Sequence, residues 1–140
     1  MAANTNPVFP LTAQVPVGQT ITTANTAKDG TGTVVTLFTA GVNGSKVDGV
    51  QVAYTGTSVA TVLRLFINNG STNATAGNNT LYKSISVPAN TLSETAAAAD
   101  FFTSLVNGGS LMLPAGYKLM ATIGTTVAAA LALTASGGDL

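Results

Sequence analysis

The side chains able to carry chemistry are few and scattered. Five carboxylates (Asp29, Asp48, Glu94, Asp100, Asp139) and five cations (Lys28, Lys46, Arg64, Lys83, Lys118) are spread over 140 residues, and there is no His and no Cys. Without His there is no imidazole base and no Ser-His-Asp triad. Without Cys there is no thiolate nucleophile, no disulfide and no Cys-based zinc site. Two carboxylates across one cleft would suit a glycosidase, but the spacing marks no pair. Ser45-Lys46 and Lys83-Ser84 are neighbours on extended chain, and adjacent strand residues point to opposite faces, so neither is a dyad by itself. Gly41-Val42-Asn43-Gly44-Ser45-Lys46 lacks the phosphate-loop spacing, and Gly30-Thr31-Gly32 precedes a strand rather than a helix. Asp29 in Lys28-Asp29-Gly30-Thr31-Gly32 resembles a calcium-loop fragment without the further acidic ligands. It is expected to cap a tight turn. The expectation is a protein that is no enzyme and uses no cofactor and no metal.

Composition points the same way. Only 7% of the residues are charged, against about 25% in an average soluble domain. The formal net charge is zero, so nothing draws the chain to a phosphate backbone, and nucleic acid is not an expected partner. Near-zero charge also removes the repulsion that keeps proteins apart. Met1 to Pro7 has neither a basic nor an apolar leader region, so no secretory signal is expected. The longest apolar run, Val127 to Leu133, is far too short for a membrane span. Sequons begin at Asn43, Asn69, Asn73 and Asn78, and in an Asn/Thr-rich chain they are read as chance.

The elements that would position any surface are strands. From residue 32 onward the apolar period is two, through Val34–Phe38, Val50–Tyr54, Val59–Ile67, Leu81–Val87, Tyr117–Ile123 and Val127–Ala135. Glycine and asparagine turns separate these runs, which predicts an all-β sandwich or barrel. Pro114-Ala115-Gly116 suits a type II turn with Gly116 at positive φ. Asn68–Thr80 reads as a long polar loop. Residues 93–105 fit either a helix capped by Ser93 or a strand. Pro7, Pro10 and Pro16 make residues 1–30 an extended arm, either an edge strand folded onto the body or an arm reaching a neighbouring subunit or partner, and residues 31–140 are read as the sandwich domain.

The outward faces are unusually apolar for an exposed antiparallel sheet. Ala128, Ala130 and Ala132 alternate with Val127, Ala129, Leu131 and Leu133. Ala60, Val62 and Phe66 back the Leu63/Leu65/Ile67 face, with Arg64 the lone charge. Such faces are expected to be covered, either by the arm or by another subunit. The candidate contact residues are therefore Val8, Phe9, Leu11 and Val15 of the arm, with Ala60, Val62, Phe66, Ala128, Ala130 and Ala132 on the faces.

Thr23 to Gly41, Arg64-Leu65-Phe66-Ile67, Leu113-Pro114-Ala115-Gly116-Tyr117-Lys118-Leu119 and Gly137-Gly138-Asp139-Leu140 give the chain a further likeness. It resembles the capsid cement (decoration) proteins of tailed bacteriophages, of the jelly-roll type, over most of residues 20–140. Residues 1–19 and 93–109 match least. The resemblance implies a jelly-roll-like antiparallel β-sandwich on the outer surface of an icosahedral virion head, made in the host bacterial cytoplasm. The implied partners are a major capsid protein of the HK97-like fold and a second copy, as a homodimer bridging neighbouring capsomers. It carries over no catalytic residue. The rival reading is a tail- or fibre-associated sandwich that binds carbohydrate or another virion protein.

Overall fold

Short β-branched and leucine-rich runs bounded by glycine and asparagine turns fold here into two antiparallel sheets. The structure, a computed structural model, describes residues 9–98, 100–106 and 109–140. Its strands are β1 Thr12–Gln14, β2 Thr20–Ile21, β3 Val35–Thr39, β4 Ser45–Tyr54, β5 Thr61–Asn68, β6 Asn79–Val87, β7 Phe101–Ser104, β8 Leu111–Leu113, β9 Lys118–Ile123 and β10 Leu131–Asp139. One sheet runs β1-β10-β4-β7, with β2 also on β10 and β8 also on β4; the other runs β3-β9-β5-β6. From β3 to β5 and from β8 to β10 the chain changes sheet at every connection, the alternation of a jelly roll. The expected all-β, jelly-roll-like sandwich is the observed fold.

The two inner faces interdigitate. Val47, Val50, Val52, Leu131, Leu133 and Ala135 meet Leu37, Leu63, Leu65, Leu119, Ala121 and Ile123, all of them buried. Each buried Val, Leu or Ile side chain among them contributes about 1.5–3 kcal/mol, so a core with few aromatics suffices. Strict alternation fails where the ladders slip. A register shift between Thr36 and Phe38 lets both Leu37 and Phe38 be buried. Another lies between Leu65 and Phe66, and a third between Ser136 and Gly137. One extra residue in a strand re-aims the side chains that follow it.

Two expectations need correction or narrowing. The last strand begins at Leu131, not Val127. Residues 124–130 are a connection, in which Val127 is buried and its N–H donates to the Thr22 carbonyl at 2.9 Å. Within the N-terminal segment, two residues engage the body. Ile21 is buried in the core, and the Asn25 N–H donates to the Ile123 carbonyl at 2.8 Å. Among residues 93–105 the element is the strand β7, and Ser93 accepts from the Thr95 N–H at 3.1 Å in a local turn instead of capping a helix. Elsewhere the turn chemistry is as expected. Gly116 has φ +74, and the Tyr117 N–H donates to the Pro114 carbonyl at 3.1 Å.

Candidate functional site

The arm lies along the open edge of β10. β1 pairs antiparallel with β10 (Thr12 opposite Asp139, Gln14 opposite Gly137), and the Leu11 N–H donates to the Asp139 carbonyl at 2.7 Å. Farther along, the Leu133 N–H donates to the Gln19 carbonyl at 2.8 Å, before β2 continues on the same strand. The backbone of an otherwise exposed edge is thereby satisfied. Gly138 makes the approach possible, while Gly137 faces β4, where a Cβ would stand 2.1 Å from the Lys46 carbonyl oxygen. A Cβ at Gly138 would stand 2.6 Å from Pro10 Cβ and 2.7 Å from the Thr12 carbonyl oxygen. The Gly-Gly-Asp-Leu ending is a seat for the arm.

Asp139 fastens that seat. Its carboxylate accepts from the Ser45 hydroxyl, from the Gln14 side-chain amide, and from the Gly41 N–H at 3.1 Å. The Ser45 hydrogen bond, with help from Gln14 and Gly41 and against the pull of desolvation, holds this carboxyl below the usual carboxylate range.

The arm's apolar side chains are not used in the core. Phe9 is 70% exposed, Leu11 84%, Val15 55% and Val17 83%. Gln14, within β1, turns its side chain to Asp139. Val8 lies outside the described residues. The arm is thus held by its backbone while a row of large apolar groups faces solvent.

The two proposed outer faces fare differently. Ala60 and Val62 are exposed, but Phe66 is completely buried. It sits opposite Met120 on β9, which is buried too. The chain's own Gly30 segment covers Phe66. A Cβ on Gly30, which has φ +78, would stand 3.1 Å from Phe66 Cδ1 and 2.7 Å from Asn79 Cβ. Phe66 is therefore a packing residue with an intramolecular cover. Ala128 and Ala130 lie in the 124–130 connection, Ala128 exposed and Ala130 half-buried, so they do not form a strand face with Ala132. Ala132, half-buried on β10, is flanked by Thr20 and Ala53.

Asparagines of the stretch expected as a polar loop, residues 68–80, lock the covering segment. Asn73 donates to the Gly32 carbonyl at 2.8 Å, Asn79 to the Asn73 carbonyl at 2.9 Å, and Asn68 to Asn79 Oδ1 at 2.8 Å. Buried Asn25 donates to the Thr31 and Thr33 carbonyls at 2.8 and 2.7 Å. Asp29 caps its turn as expected, accepting from the Thr31 N–H at 3.0 Å and from its hydroxyl at 2.7 Å. Those Thr31 bonds, the hydroxyl's first, lower the Asp29 carboxyl below its ordinary range. The density of Asn between residues 68 and 79 was the available signal, since Asn amides can replace missing backbone partners in tight loops.

No group of three metal-ligating side chains occurs among the described residues. Among them too, no helix is long and apolar enough to cross a membrane. Tyr54 and Tyr82 are committed internally, donating to the Pro88 and Leu105 carbonyls, each at 2.7 Å. Neither protein-family models, nor curated proteins, nor solved structures match this chain.

Proposed function

We propose that this chain is a non-catalytic docking protein of a tailed-phage head. It binds the outside of the icosahedral shell, on a major capsid protein of the HK97-like fold, and bridges neighbouring capsomers. The observation that carries the reading is the arm. Its backbone is secured to β10, while Phe9, Leu11, Val15 and Val17 remain exposed. Contiguous exposed apolar groups mark a surface meant for a partner, and a low-charge surface docks without costly desolvation of ions. Many copies on a closed shell make modest contacts sufficient. The sequence resemblance to decoration proteins supplies the setting. The carbohydrate-binding alternative draws less support, because Tyr54 and Tyr82 spend their hydroxyls inside the fold and there is no Trp to stack on a sugar.

The test is removal of residues 1–18, which leaves Gln19 and β2 in place. The shortened chain is expected to fold and to lose most of its binding to heads stripped of the native protein. Undiminished decoration would overturn the role of the arm.

A further inference from the structure

The outer face of the β3-β9-β5-β6 sheet is closed over Phe66 and open at its other end. There Ala60, Val62, Arg64, Ser86, Pro88 and Thr125 line a cleft of about 480 Å³. Arg64 is the chain's single arginine. No carboxylate comes within 4 Å of it, since the one ion pair among the described residues is Lys46–Asp48 at 3.3 Å. Its Nη1 is buried without a hydrogen-bond partner. The guanidinium lies against Gly124, where a Cβ would meet Nη1 at 3.2 Å and Nη2 at 3.3 Å. Thr122, the register partner of Arg64 on β9, is fully buried, and its Oγ1 is likewise unpartnered.

A buried N–H left without an acceptor is costly. The guanidinium therefore gives up no bond at Nη1 when it turns toward an incoming acceptor. One arginine with no lysine beside it suits a single negative charge rather than a phosphate cluster, and its planar fork matches a carboxylate. The cleft lies open on a sheet face, so it cannot enclose a small molecule as a typical ligand pocket does. A carboxylate carried on a neighbouring protein surface would bring its own cover for Ala60, Val62 and Pro88.

We infer that this cleft receives one acidic side chain of a partner protein, with Arg64 as the clamp. The inference rests on the reading of the chain as a docking protein. The test needs no phage particle, so its failure is distinct from failure of head binding. The full chain, labelled with ¹⁵N, gives one arginine Nε–Hε resonance, which is followed during titration at constant ionic strength. The probes are acetyl-Ala-Glu-Ala-amide, its glutamine counterpart and sodium acetate, each raised to about 50 mM. The glutamate peptide is expected to shift the resonance saturably, at concentrations about fivefold or more below acetate, and the glutamine peptide is expected to leave it in place. Arg64→Gln abolishes the response seen at neighbouring amides, and Arg64→Lys retains a weaker one. No saturable shift, or an equal shift with the glutamine peptide, would overturn the site. Acetate binding as tightly as the glutamate peptide would overturn the assignment to a protein segment. If Arg64→Gln does not fold, the native-chain titration decides alone.

Discussion

Gln14 and Asp139 are joined side chain to side chain across the β1–β10 pair, so a carboxylate as well as backbone fastens the arm to the last strand. They are diagonal neighbours on one face of the ladder, a position from which long side chains interact. The same carboxylate holds Ser45 and the Gly41 N–H. The arm's seat and the β3–β4 turn thus share one charged group.

This predicts an acid-sensitive latch. The Asp139 carboxyl is lowered from an ordinary value of 3.8, first by Ser45. A group depressed in the folded state contributes stability that is complete above its unfolded pKa and is lost as pH falls through the folded one. Melting temperature should therefore be insensitive to this group above about pH 5 and fall below the ordinary carboxylate range. Asp29 and Asp48 are lowered as well, Asp29 by Thr31 and Asp48 by Ser110, so the Asp139 share is isolated by comparison with Asp139→Asn. That variant should show a shallower acid limb in thermal melts and faster exchange of the Leu11 amide at neutral pH. An acid limb identical to that of the native chain would show that the Asp139 carboxylate does not fasten the arm.

Phe66 and Phe9 should behave oppositely. Phe66 is fully buried against Met120 and the Gly30 segment, so Phe66→Ala is expected to cost about 3–5 kcal/mol. Phe9 is 70% exposed, and Phe9→Ala should change stability by no more than about 0.5 kcal/mol while weakening docking. Chemical denaturation of both variants measures the contrast.

Gly30 faces two obstacles to substitution. Its φ of +78 disfavours any side chain, and a Cβ would collide with Asn79 at 2.7 Å. Gly30→Ala should destabilise by about 2–4 kcal/mol through backbone strain and overpacking. The loss should appear as a lower denaturation midpoint with an unchanged slope. A neutral result would mean that the segment over Phe66 yields easily.

The fold was legible because period-two patterning and turn residues agree, as at Val50, Val52 and Tyr54, which all face inward. The outer faces were less legible for two physical reasons. Register shifts are invisible in a hydrophobic pattern, so Leu37 and Phe38 are buried together where alternation allows only one. The cover of a face depends on a distant segment. Phe66 is shielded by Gly30, which Asn73 and Asn79 hold through contacts that no local pattern encodes. The exposed arm residues Phe9, Leu11 and Val15 were readable because prolines on both sides deny them a regular element. Arg64 was visible as the lone charge on its face, but its missing partner becomes apparent only when every carboxylate has a place.

As the proposed coat of a phage head, docked chiefly through the exposed apolar side chains of its arm, this chain is expected in many copies per particle. Quantitative mass spectrometry of purified virions, giving its copy number relative to the major capsid protein, tests that most directly. A count of the same order as the major capsid protein is expected. A few copies per particle, or none, would contradict it.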